Sequence, residues 1–149
     1  MSGLESVRVQ VLLDHSAKDE VSAERVKDKC ELLLRKSGIA IRGNASTSLT
    51  VSLRGDSVGF GEPPANVKRS LGDEMVTAIM KRRVYTCELY VWESVVLERG
   101  DQFRHAEGRT WRAALVVFTT QEKAESSVLE TVEQLTERFS NAYLANQAP

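Results

Sequence analysis

Tyr85-Thr86-Cys87-Glu88-Leu89-Tyr90-Val91-Trp92-Glu93-Ser94-Val95-Val96-Leu97 decides the fold class. Tyr85, Cys87, Leu89, Val91, Val95 and Leu97 share one parity, broken only by Glu93. Thr86, Glu88, Tyr90, Trp92 and Ser94 hold the other. Successive side chains of a strand leave on opposite sides, so a period of two marks a strand with one face in a core. Cys87 falls on the core parity, whereas Tyr90 and Trp92 fall on the opposite one. Further along, Arg99-Gly100-Asp101 reads as a turn and Trp111 to Thr119 as a partner strand. With a loop of about a dozen residues between them, the two strands form an antiparallel hairpin.

Upstream, Val7, Val9, Val11 and Leu13 alternate with Arg8, Gln10 and Leu12 as a first strand, and Asp14 to Glu20 follows as a polar loop. Ser22 is placed to cap a helix, with Val21 and Val26 as a hydrophobic staple. Val26, Cys30, Leu33 and Leu34 share one face of that helix, and Gly38 supplies the left-handed residue that ends it. Ile39 to Arg42 reads as a short second strand before the turn Gly43-Asn44, and Leu49, Val51 and Leu53 mark a third. At the other end of the chain, Val128, Val132, Leu135, Phe139 and Tyr143 line a helix. Thr119 or Thr120 is placed to cap it, with Glu122 three residues past Thr119.

Between these elements, Gly55 to Arg83 is an insert. Gly55, Gly59, Gly61, Pro63 and Pro64 make an irregular loop, after which Leu71, Met75, Ala78 and Ile79 line a short helix weakened by Gly72. The order β-α-β-β-insert-β-β-α predicts a two-layer α+β sandwich. Residues 1–149 form one domain, with two main helices on one mainly antiparallel sheet of about five strands.

A chain of 149 residues, 42% hydrophobic and 28% charged, is long enough to bury a real core. No run approaches the roughly 18 apolar residues of a membrane-spanning helix. The balance of 20 basic against 21 acidic residues removes the main electrostatic argument for nucleic-acid binding. That balance is uneven along the chain. Asn66 to Arg83 carries five basic and two acidic residues, whereas Gln121 to Pro149 carries two basic and five acidic. Such complementarity would hold the insert against its own domain or join two copies.

The sequence offers little convergent chemistry. Gly55-x-x-x-Gly59-x-Gly61 invites a phosphate-loop reading, but Glu62-Pro63-Pro64 follows where Lys-Ser/Thr and a helix start are needed. His15 and His105 are the only histidines, and with Cys30 and Cys87 they show no recognised metal spacing. No cofactor is expected. Both cysteines sit on core faces as small hydrophobes, which leaves a disulfide between them open. Lys68, Arg69, Lys81, Arg82 and Arg83 flank the insert's helix and are expected to face Tyr90, Trp92 and Trp111. Basic groups beside aromatics suit single-stranded nucleic acid, although Asp73 and Glu74 interrupt the patch. Tyr90 and Trp92 matter more, because adjacent aromatics off the core face mark a partner surface or lie beneath the insert. The expectation is a non-enzymatic binding or assembly module, with a protein partner or a second copy as ligand. Tyr90, Trp92, Lys81, Arg82 and Arg83 are its candidate contacts. One alternative is a small hydrolase or metal-dependent enzyme using His15 or His105. Another is a single-stranded nucleic-acid binder using the insert's basic edge.

Several motifs together resemble a group of small, functionally uncharacterised bacterial proteins, many of which carry an export leader. They are the opening V-x-V-x-V strand, Glu31-Leu32-x-Leu34-Arg35-x-x-Gly38-Ile39, Leu49-x-Val51-x-Leu53 and Tyr90-Val91-x-x-x-Val95-x-Leu97. Thr110-Trp111 and the ending Phe139-x-Asn141-x-Tyr143-Leu144-x-x-Asn146 complete the set. The strand-helix order is also similar to that of the N-terminal domain of TolB, a periplasmic assembly protein, as a likeness of fold alone. The resemblance implies no reaction, cofactor or catalytic residue. Met1-Ser2-Gly3-Leu4-Glu5 lacks the basic and apolar stretches of a signal peptide, which reads as cytoplasmic. If the resemblance holds, Met1 to Gly3 replaces a removed leader and the protein is exported.

Overall fold

The alternating stretches pair into one four-stranded sheet in the computed structural model, which describes residues 6–56, 64–99 and 102–147. β1 (Val7–Leu13), β2 (Thr47–Asp56), β3 (Arg82–Arg99) and β4 (Gln102–Thr120) lie in the order β1-β2-β3-β4. β1 and β2 are parallel, and the other two pairings are antiparallel. Parallel neighbours need a crossover, and the chain between them carries α1 (His15–Lys18) and α2 (Ala23–Lys36). α5 (Ala124–Gln147) packs beside α2, and the two helices cover one face of the sheet. This is the expected two-layer α+β architecture, with four strands in place of about five.

The core parity is the face beneath the helices. Leu49, Val51 and Leu53 of β2 and Cys87, Leu89 and Val91 of β3 are fully buried there. They form one cluster with Val26, Cys30 and Leu34 of α2 and Val128, Val132, Leu135 and Phe139 of α5. Burying one such side chain is worth about 1.5–3 kcal/mol, so this face holds the fold together. Phe139 meets Trp111 edge-on at 5.3 Å between ring centres and Tyr143 at 6.3 Å.

The helix starts are tied by polar groups as well. Ser22 caps α2, its hydroxyl accepting from the Arg25 amide at 3.3 Å, and Gly38 ends the helix with a φ of +79°. The Ser22 amide donates to the Glu125 carboxylate at 3.0 Å, and Arg25 pairs with the same carboxylate, which joins the starts of α2 and α5. The expected cap on α5 does not form. A 3₁₀ turn (Gln121–Lys123) precedes that helix, Thr120 makes no capping bond, and the Thr119 hydroxyl shares a 2.8 Å hydrogen bond with Ser127.

Three further expectations change. Ile39 to Arg42 contracts to a single bridge between Val7 and Ile41, because Gly38 and the Gly43-Asn44 turn leave too short a run for a ladder. The polar loop after β1 holds the single turn α1, capped by Asp14, whose carboxylate accepts from the Ala17 amide at 2.9 Å and the Gly55 amide at 3.0 Å. The dozen-residue hairpin loop is instead strand. Only Gly100 and Asp101 separate β3 from β4, and they lie outside the described residues. Beyond Trp92, the two strands run past β2 as a two-stranded arm.

The insert folds as two helices, α3 (Ala65–Leu71) and α4 (Asp73–Met80), divided at Gly72 with a φ of +75°. They pack chiefly on each other. Gly55 has a packing role rather than a phosphate-binding one: a Cβ there would stand 2.7 Å from the Ser16 Cβ. Gly59, Gly61, Glu62 and Pro63 lie outside the described residues.

Candidate functional site

The opposite parity of each strand forms a second face that, among the described residues, no helix packs against as α2 and α5 do on the first. Register sets its cross-strand rows. Arg8, Ser48, Trp92 and Arg109 form one row, and Gln10, Thr50, Tyr90 and Arg112 form the next. Leu12, Ser52, Glu88 and Ala114 follow. A register shift between Val91 and Trp92 leaves Thr110 as the extra residue on β4, which carries Arg109 onto this face.

Tyr90 and Trp92 meet edge-on at 6.3 Å, and Trp92 remains 36% exposed. The Arg109 guanidinium lies 4.5 Å from the Tyr90 ring centre and 5.5 Å from that of Trp92. Such stacking is worth about 0.5–1 kcal/mol at an exposed site. Glu88 orients this cation, accepting from Arg109 at 3.2 Å, and it also pairs with Arg112 at 2.7 Å. Among the described residues, α3 and α4 pack chiefly on each other rather than on these rings. An arginine from the neighbouring strand covers them in part.

Beside Trp92 lies a cleft of about 250 Å³, lined by Arg8, Gln10, Ser46, Ser48, Trp92, Glu93 and Glu107. Ser48 and Thr50 are buried although they belong to the open face, because the longer side chains of β1 and β3 flank them in register. Ser48 is 6% exposed, and its hydroxyl has no hydrogen-bond partner among the described residues. Arg8, Glu93 and Glu107 make no ion pair among the described residues either, whereas Glu88, Arg109 and Arg112 a few ångströms along the sheet are paired. A buried hydroxyl without a partner costs about 1–3 kcal/mol until something supplies one. The cleft therefore offers a donor-acceptor hydroxyl, charges of both signs and an aromatic wall.

The basic residues lie elsewhere. Lys81 ends α4 and pairs with Glu122 at 2.8 Å, and Arg83 pairs with Glu20 at 2.7 Å. Hydrogen bonding and the charge of Lys81 hold the Glu122 carboxyl below its ordinary range. Arg82 opens β3 and is exposed. From Arg83 to Tyr90 is seven residues of one strand, on the order of 23 Å. The expected facing of Lys81, Arg82 and Arg83 and the aromatics is thus not realised, because Arg82 and Arg83 open β3 whereas Tyr90 and Trp92 stand at its middle. The charge contrast between insert and final segment is realised locally, as the Lys81–Glu122 pair.

His15 opens α1 and His105 stands on the arm of β4 opposite Val96, not in a loop. Both are exposed, and neither forms a hydrogen bond or ion pair among the described residues. They occupy opposite ends of the sheet. No group of three potential metal ligands occurs among the described residues. Cys30 and Cys87 are free and buried as expected. Burial pushes the Cys30 thiol up to about 11 and the Cys87 thiol up to about 12. Burial and the hydrogen bond from its hydroxyl to Glu20 push Tyr85 up as well. No helix of the described residues is long and apolar enough to cross a membrane.

Sequence reasoning missed Arg8, Ser48, Glu93, Glu107 and Arg109. The alternation Leu49-Thr50-Val51 carried the signal that Ser48 and Thr50 share a face with Tyr90 and Trp92, but only the strand register brings them together. Compared with known proteins, the chain matches no family model and no curated protein.

Proposed function

We propose that this chain is a binding module that docks an extended segment of a partner protein across the open face, centred on Tyr90 and Trp92. The observation that carries this reading is the aromatic pair standing beside a cleft with an unpartnered buried hydroxyl and unpaired charges of both signs. A folded domain satisfies its buried polar groups with protein, water or a ligand, and a ligand in this cleft would supply the partner of the Ser48 hydroxyl. An extended segment supplies amide donors and acceptors for Ser48, charges for Arg8, Glu93 and Glu107, and an apolar side chain for the Trp92 ring. The insert provides a second contact: Met75 of α4 is 53% exposed, and Leu71 and Ile79 are only partly covered.

The test compares immobilised wild-type chain with a Tyr90→Ala/Trp92→Ala double variant of matched circular dichroism. The wild type is expected to retain a partner from extract that the variant releases. An identical set of retained proteins from both would overturn the reading.

A further inference from the structure

A second interaction surface lies on the free edge of the sheet. β4 pairs with β3 on one side only, and among the described residues no backbone hydrogen bond from another element reaches its outer side. An edge strand presents a row of unpaired amides and carbonyls, and proteins blunt such edges with charges, bulges or prolines. β4 does so in its first half only. Arg104, His105, Glu107, Arg109 and Arg112 are spread along it, and the extra residue at Thr110 breaks the register. From Ala113 to Thr120 the strand reads Ala-Ala-Leu-Val-Val-Phe-Thr-Thr, with no charge, glycine or proline and high strand propensity.

The exposed side of this half is apolar. Phe118 is 79% exposed and Val116 is 55% exposed, and Val84 stands opposite Phe118 on β3. An exposed apolar patch against an open backbone edge fits a partner strand rather than a globular surface. The segment is also complementary to itself. If two copies pair antiparallel about Val117, Val116 of each lies opposite Phe118 of the other, and Ala114 lies opposite Thr120. The same two-fold brings Arg112, just before the uncharged run, toward Glu122, just after it. Contacts of this isologous kind close a dimer and end there.

We infer that two copies of this chain associate through antiparallel pairing of Ala114–Thr120 of β4. The pairing makes one continuous eight-stranded sheet and buries Val116 and Phe118 of both copies in one strip. It is independent of the Tyr90–Trp92 site, which lies toward the other end of the open face and stays accessible in the dimer.

Sedimentation velocity over a concentration series tests the inference. The wild type is expected to sediment as a species of twice 16.6 kDa. A Val116→Lys/Phe118→Lys variant places like charges opposite each other across the two-fold and weakens self-association by about ten-fold or more. Both substitutions are at exposed positions, and matched circular dichroism confirms folding. Arg104→Ala, on the arm outside the paired segment, leaves the dimer intact. As a check that does not depend on stability, a mixture of Val116→Cys and Phe118→Cys chains forms mixed disulfides under mild oxidation. A monomer at every concentration overturns the inference, as does a dimer indifferent to the lysine variant. So does a dimer abolished by Arg104→Ala, or Val116→Cys and Phe118→Cys chains that do not cross-link.

Discussion

The two faces of one sheet differ in what fills them. Beneath the helices, Leu49, Val51, Leu53, Cys87, Leu89 and Val91 are all fully buried and carry no polar atom that needs a partner beyond the Cys87 thiol. On the other face the same two strands present Ser48, Thr50, Ser52, Glu88, Tyr90 and Trp92. The first set is what hydrophobic burial requires. The second is not required by folding, since a sheet with one solvated face is stable with any polar residues there. Two neighbouring aromatics, an arginine stacked on both and an unpartnered buried serine are the observations on which the proposed recognition role rests.

The comparison breaks most sharply at Phe139. Phe139→Ala removes the ring that packs on Trp111 and Tyr143, and is expected to cost about 3–5 kcal/mol in urea unfolding. A cost below about 1 kcal/mol would mean that the helix face is not the stabilising one. The same face also dictates a pH dependence. A thiol held up in the folded state and ordinary in the unfolded state binds more protons when folded, so stability falls as pH rises. For Cys30 the window runs from about 9 to about 11, and for Cys87 from about 9 to about 12. Each is expected to remove about 1.4 kcal/mol per pH unit inside its window. A Cys30→Ala/Cys87→Ala variant should show a shallower decline, measured by chemical unfolding from pH 8 to 11.

Smaller effects come from the joints around the core. Gly55→Ala forces a Cβ against Ser16 at 2.7 Å and is expected to cost about 1–3 kcal/mol, loosening α1 from β2. Ser22→Ala removes the α2 cap and is expected to cost about 1 kcal/mol. Both are read as shifts of the thermal midpoint.

The helix face was legible in the sequence because burial imposes period. Tyr85 to Val91 show period two, and Val26, Cys30 and Leu34 show the helical period, since any other residue there would leave a polar group or a void in the core. The arm was not legible. Arg104 to Gly108 alternate with nothing to distinguish their sides, because both faces of a two-stranded ribbon meet water. Arg109 was illegible for a different reason: its place over Tyr90 depends on one extra residue at Thr110, and no local pattern announces a bulge. Ser48 reads as an ordinary solvated serine until its neighbours in register, Arg8 and Trp92, cover it.

The change that matters most lies off the core. Tyr90→Ala/Trp92→Ala is expected to cost about 1–3 kcal/mol, from the lost ring pair, the lost Arg109 stacking and the covered part of both rings, and to leave the chain folded. The direct test of a sheet with one face for folding and one for recognition is the partner retained by that folded double variant relative to wild type. The account predicts loss of the partner by a variant that remains folded. Retention of the same partner at wild-type level would contradict it.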